Sequence, residues 1–323
     1  MLLAAARPAD ARQMPEPPPG QPPPGQPPTR PPRPAESGLC TARGQVLGPS
    51  DFGVAAGLPV ADVSAVLLLD GRVRLYVFAQ NKGIVSAVSV SADGLTFTAE
   101  PGLRLPDGSG MPRVVRTQTG YRLFFTSAGG ISSATSTDGL SFTVEPGQRI
   151  TKDAAGFGTS AAGTSGASVI RLADGRYRMY FSDLPRPGDP PGNHRIKTAV
   201  STDLLAWTVE AGILAGPGAA TLTESSEHPF VLANPDGSVT MYYGRFAGPG
   251  GTTPEGLYQS TSRDGLTFAE ETYNIFMAND PDALRLSDGT LLVYYGLFDP
   301  QVGGTINVAQ CADPGAAAPA RLP

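Results

Sequence analysis

Four carboxylates stand where a polar stretch gives way to an apolar run: Asp62 in VADVSAVLL, Glu227 in SSEHPFVL, and Asp280 and Asp282 in ANDPDALRL. Carboxyls so placed can exchange protons with a bound molecule, one as acid and another as base, when their surroundings hold their pKa values apart. His228 follows Glu227 directly, and the other histidine, His194, lies in RPGDPPGNHR. Two histidines exclude a histidine-rich metal centre, and no residue cluster argues for a metal or an organic cofactor. The glycine-rich stretches GFGTSAAGTSG and FAGPGGTTPEG lack the spacing that cradles a phosphate.

These residues need a scaffold, and the scaffold repeats. Each candidate carboxylate opens a unit of similar layout: an apolar strand, a turn such as ADGR, PDGS or SDGT, then a strand rich in Tyr and Phe, then a third strand. The Asp-Gly pair in those turns suits a two-residue hairpin, because Gly tolerates positive φ. In GRYRMYFS, Tyr177, Met179 and Phe181 fall on one face and Arg176, Arg178 and Tyr180 on the other, the period of a strand. The units number five and average roughly 53 residues, the length of a propeller blade of four antiparallel strands. The expected fold is all-β: a five-bladed β-propeller over residues 38–313.

Four units end their third strand on nearly one word: SADGLTF from Ser91, STDGLSF from Ser136, STDLLAW from Ser201 and SRDGLTF from Ser262. Its Asp can accept backbone N–H groups, and Phe97, Phe142, Trp207 and Phe268 can pack between blades. The word reads as scaffold between the third and fourth strands. Function is expected where units differ, at the residues just before each first strand. Arg113 in GMPRVVR and Arg245 in YYGRF lie near ends of inner strands, within reach of a ligand's hydroxyl or carboxylate.

The fifth unit stops at INVAQCAD without an outer strand, and GLCTARGQVL at the start resembles the missing piece. Pairing of that N-terminal strand with the last blade would close the ring and make Cys40 and Cys311 neighbours, able to form a disulfide; two separate buried thiols are the alternative. A bridge over so long a loop removes unfolded-state entropy worth about 4 to 5 kcal/mol, and it implies an oxidising compartment. A closed ring needs no partner to cover an edge, so a monomer is expected.

Composition narrows the partners. The chain of 323 residues carries a net charge of −5, with no basic stripe to neutralise a phosphate backbone, which argues against nucleic acid. No apolar run approaches the about 20 residues that span a membrane. Residues 1–37 form a proline-rich tail or linker, PEPPPGQPPPGQPPTRPPRP, too rich in proline for a ladder or a helix. MLLAAARPADA before it resembles a remnant export signal without a basic start. Residues 314–323 are a C-terminal tail.

A propeller with ADVSAVLLLDGRVRLY in its first blade and EHPFVLANPDGSVTMYY in its fourth resembles the arabinanase, levansucrase and invertase superfamily, most of all glycoside hydrolase family 43. The resemblance spans residues 40 to 313. It implies a hydrolase acting on a polysaccharide or oligosaccharide, with Asp62 as general base and Glu227 as general acid in the central channel, and the expected disulfide places it as secreted, cell-surface or periplasmic. The Asp that such enzymes carry in an intermediate blade has no match: the third blade has Gly166, Ala167 and Ser168, and the second has Met111, Pro112 and Arg113. Asp282, with Asp280 beside it, could supply that charge from the fifth blade, while Asp280, His228, Arg245 and Arg113 would contact sugar. The alternative is a propeller that binds a glycan or a protein without turning it over. A sialidase is a more distant third, since those enzymes have a longer Asp word, six blades and an arginine triad.

Overall fold

A computed structural model describes residues 36–156, 161–185, 195–211, 224–247, 254–268 and 271–314. The proline-rich tail up to residue 35, His194 and the chain after 314 lie outside the described residues. Strand β1 (Cys40–Leu47) comes first. Blade 1 follows with β2 (Val60–Leu67), β3 (Val73–Ala79), β4 (Gly83–Ser89) and β5 (Phe97–Ala99), and a short β6 (Leu105–Pro106) adds to β4. Blade 2 holds β7 (Gly110–Thr117), β8 (Gly120–Ser127), β9 (Gly130–Ser136) and β10 (Thr143–Val144). Blade 3 is built from β11 (Ala161–Arg171), β12 (Tyr177–Pro185), β13 (Ile196–Ser201) and β14 (Thr208–Val209). Blade 4 has β15 (Glu224–Ala233), β16 (Val239–Ala247), β17 (Gly256–Ser262) and β18 (Thr272–Phe276), and blade 5 has β19 (Asn279–Arg285), β20 (Leu291–Asp299) and β21 (Gly303–Cys311). The first strands touch in the cyclic order β2, β7, β11, β15, β19 and back to β2, which closes a five-bladed propeller around a central channel.

The repeated word forms the seams. In blade 2, Asp138 Oδ1 accepts from the backbone N–H of Leu140 and Ser141 and from Ser136 Oγ, and these donors hold its carboxyl down at about 2. The turn is then gripped by the preceding blade. Tyr76 donates its phenol proton to the Gly139 carbonyl at 2.8 Å, Arg74 donates to the Asp138 carbonyl at 3.1 Å, and Phe142 meets Tyr76 edge-on at 5.9 Å. Tyr180 grips Gly265 and Tyr294 grips Gly94 in the same way. A Cβ on Gly139 would lie 2.7 Å from the Tyr76 hydroxyl, so the tyrosine demands the glycine. Between blades 2 and 3 the tyrosine is Phe124, and there Leu204 replaces the glycine at φ 67° while Trp207 replaces the phenylalanine. This one seam lacks both halves of the pair.

Ring closure is as expected. Strand β1 runs antiparallel to β21 on the outside of blade 5, with Cys40 directly opposite Cys311, and the two form a disulfide. Tyr242 of blade 4 corresponds to Tyr76, but blade 5 has no Asp-Gly word; its hydroxyl is buried without a hydrogen-bond partner among the described residues. Glu36 and Ser37, at the edge of the tail, bond to the outer strand of blade 4: the N–H of Ser37 donates to the Tyr273 carbonyl at 3.0 Å, and Glu36 Oε1 accepts from the N–H of Phe276 at 3.1 Å.

Candidate active site in the central channel

All five first strands break register at one place. The ladder skips between Ala61 and Ser64, Gly110 and Arg113, Ser165 and Ser168, Glu227 and Phe230, and Asn279 and Asp282. The residue after each skip begins is left-handed: Asp62 at φ 57°, Met111 at 51°, Gly166 at 68°, His228 at 50° and Asp280 at 51°. One of the five is a glycine; each of the others holds strain on the order of 1–3 kcal/mol, as bulges beside functional sites commonly do. The bulge re-aims its side chain, and in blades 1, 4 and 5, consecutive around the ring, that side chain is ionisable.

Asp62, His228 and Asp280 converge, each offering one polar atom, with the three atoms within 4.8 Å of one another. His228 Nδ1 pairs with Asp280 Oδ1, and these side chains are 13% and 14% exposed, partly buried and still reachable. Burial opposes the charge on His228, but Asp280, Glu227 and Asp62 outweigh it and raise the imidazole to about 10. Burial likewise opposes ionisation of Asp280, and the imidazolium overcomes it, so this carboxyl is held below its ordinary value. Asp62 is pushed up to about 7, first by burial and then by the Asp280 charge. Backbone N–H groups link the set, from Met111 to Asp62 and from Asp62 to Asp280.

Arg113 stands behind this group. Its guanidinium is 4% exposed and donates to the carbonyls of Val63 and Pro281, the residues that follow the two aspartate bulges. It ties blade 2 to blades 1 and 5 and faces both carboxylates with positive charge. A cation held by Asp62, His228 and Asp280 would have to displace the proton that pairs His228 with Asp280 and would meet Arg113, so the donor set fits a metal poorly.

Glu227 precedes the blade 4 bulge and is 8% exposed. Its Oε1 accepts from Asn279 Nδ2 at 3.1 Å. Asn279 occupies the same register position in blade 5: Glu227 pairs with Gly244 on β16, and Asn279 with Gly296 on β20. Sequence reading passed over Asn279 because a neutral amide carries no signal until strand register sets it beside a carboxyl.

Asp282 and Arg245 stand elsewhere. Asp282 sits two residues past its bulge, where blades 1 and 3 have Ser64 and Ser168. Those hydroxyls accept the N–H of Val114 and Val231 of the next blade, at 3.0 and 2.8 Å. Asp282 accepts from the Ala65 N–H and the Ser64 hydroxyl across the seam to blade 1, and burial, partly offset by Arg113, pushes its carboxyl up to about 7. Arg245 lies on β16, paired with Glu271 and 5.4 Å from the Tyr258 ring centroid.

No protein-family model matches the chain, and no curated protein matches it in sequence. Solved structures do match. A thermostable family-43 glycoside hydrolase superposes with a TM-score of 0.61 at 15% identity, over 82% of this chain and 94% of that one. An endo-arabinase from Bacteroides thetaiotaomicron gives 0.58 at 17%, over 80% and 98%, and an α-L-arabinofuranosidase from Clostridium thermocellum gives 0.57 at 14%, over 81% and 92%. At such identities the likeness is one of fold: the chain is a five-bladed propeller of the kind found in family-43 and related glycoside hydrolases.

Proposed function

We propose that the channel is the active site of a glycoside hydrolase acting on a polysaccharide or oligosaccharide, with Glu227 as general acid and Asp62 as general base. Glu227 gives its proton to the glycosidic oxygen, which leaves as an alcohol. Asp62 takes a proton from the water whose oxygen bonds to the anomeric carbon. The observation that carries this reading is the convergence of ionisable bulge residues from blades 1, 4 and 5 beside Glu227. A base at about 7 is poised for neutral pH, where it is half ionised and still basic enough to pull on water.

The fixed negative charge that blade 3 lacks comes, in this reading, from Asp280, held ionised by His228, while Asp282 stabilises the seam between blades 5 and 1. His228 also offers its other ring nitrogen to a sugar hydroxyl. Arabinose-, xylose- or fructose-bearing chains are the first substrates to try, since arabinose figures in the activities named for two of the similar structures. The Cys40–Cys311 disulfide supports an exported protein whose folded unit runs from about residue 38 to 313.

The test is reducing-sugar release and calorimetric binding with arabino-, xylo- and fructo-oligosaccharides. Turnover supports the hydrolase. Binding without turnover in the wild type would make the propeller a glycan-binding module.

A further inference from the structure

Gly244 has no backbone reason to be glycine, since its φ lies outside the left-handed region. Space is the reason. A Cβ there would lie 1.7 Å from Asn279 Oδ1 and 2.7 Å from its Cγ. The absent side chain on β16 therefore lets the Asn279 amide sit against the backbone opposite Glu227, its oxygen buried without a hydrogen-bond partner among the described residues and its nitrogen 3.1 Å from Glu227 Oε1. Turned over, the amide would set its oxygen against the oxygen of an ionised carboxyl, so the Glu227 contact selects this orientation.

We propose that Asn279, seated by Gly244, is the positioning residue for Glu227 and fixes which carboxyl oxygen carries the acidic proton. An amide N–H only donates, so Oε1 must present a lone pair to it, and in the acid form the proton lies on Oε2. The carboxyl cannot rotate to exchange the two oxygens without losing that bond. The leaving oxygen is therefore served from Oε2 alone. This inference rests on the reading of Glu227 as general acid, and it adds a residue that acts through Glu227 without touching substrate.

The experiment compares wild type, Asn279→Ala, Gly244→Ala, the double variant and Glu227→Gln on two glycosides of one sugar. One has a sugar leaving group that needs protonation, the other a dinitrophenolate that does not. Asn279→Ala is expected to lose roughly 10- to 100-fold in kcat/KM on the first and to stay within about threefold on the second, following the pattern of Glu227→Gln. Gly244→Ala should reproduce that loss, and the double variant should be no worse than Asn279→Ala, because the amide the methyl displaces is already gone. Equal losses on both glycosides, or additive losses in the double variant, would overturn the proposal.

The side-chain amide signals of Asn279 in a 15N–1H spectrum decide the contact even if the wild type hydrolyses nothing, which would sink the hydrolase reading by itself. They are expected to shift between the wild type and Glu227→Gln at one pH. Amide signals indifferent to that substitution would overturn the inference on its own ground.

Discussion

Asp62 and His228 occupy the same position in two blades, the left-handed residue of the first-strand bulge, while Glu227 stands one residue earlier. The acid and base proposed for the channel are thus not equivalents in the repeat. The base lies on the bulge and is re-aimed by it, whereas the acid is held by the regular ladder just before it.

With Asp62 at about 7, the rate should depend on its ionisation. The expected profile of kcat/KM has a rising limb centred on about pH 7, where Asp62 ionises, and turns down where the general acid loses its proton. Asp62→Asn should lower the maximum by roughly 10²- to 10⁴-fold. A flat profile from pH 5 to 8 in the wild type would assign the base to another group.

Asp282 makes a prediction about stability. Its folded carboxyl titrates at about 7 against an ordinary value of 3.8, so between those values the native state keeps a proton that the unfolded chain releases. Stability therefore falls as pH rises through that window, by up to about 1.4 kcal/mol per pH unit from this group, and is unaffected by it below the window. Asp282→Asn keeps an acceptor for the Ala65 N–H and should flatten the fall in urea titrations from pH 4 to 7. An unchanged slope would mean that the group is ionised throughout.

The Phe124 seam can be converted. Phe124→Tyr alone should cost about 1–3 kcal/mol, because its hydroxyl meets the position where Leu204 has a Cβ. Leu204→Gly alone should also destabilise, by emptying a buried site. Together they rebuild the Tyr76–Gly139 arrangement, and a double-mutant cycle should show favourable coupling of at least about 1 kcal/mol. Additive changes would mean that the tyrosine–glycine pairing of the other seams is coincidental.

Ring closure depends on a pair 271 residues apart. Cys311→Ser should lower unfolding stability by about 2–5 kcal/mol while leaving kcat within about twofold at 25 °C. Thermal unfolding with and without reductant reads the first, and an unchanged midpoint would show that β1 holds blade 5 without the bridge.

The fold was legible because it repeats: alternation in GRYRMYFS, the Asp-Gly turns and the Asp words each recur, and the truncated fifth unit pointed to Cys40 beside Cys311. Of the candidate site, only the charged members stood out in the sequence. Asp62, Glu227, His228 and Asp280 drew notice by type, but the bulges that separate Asp62 from Ser64 and Asp280 from Asp282 depend on register, which strand spelling does not carry. Hence Asp282, two residues from Asp280, reads in sequence as a partner in the channel and lies in the structure at the seam to blade 1. Asn279 and Gly244 were silent for the same reason: each matters only for what the neighbouring strand sets against it.

The most direct test of the account is the rate of oligosaccharide hydrolysis by wild type, Asp62→Asn and Glu227→Gln, with folding of each confirmed by its unfolding midpoint. The account predicts release of reducing sugar by the wild type and losses of 10²-fold or more in both variants. Wild-type activity that survives both substitutions within a few-fold would contradict it.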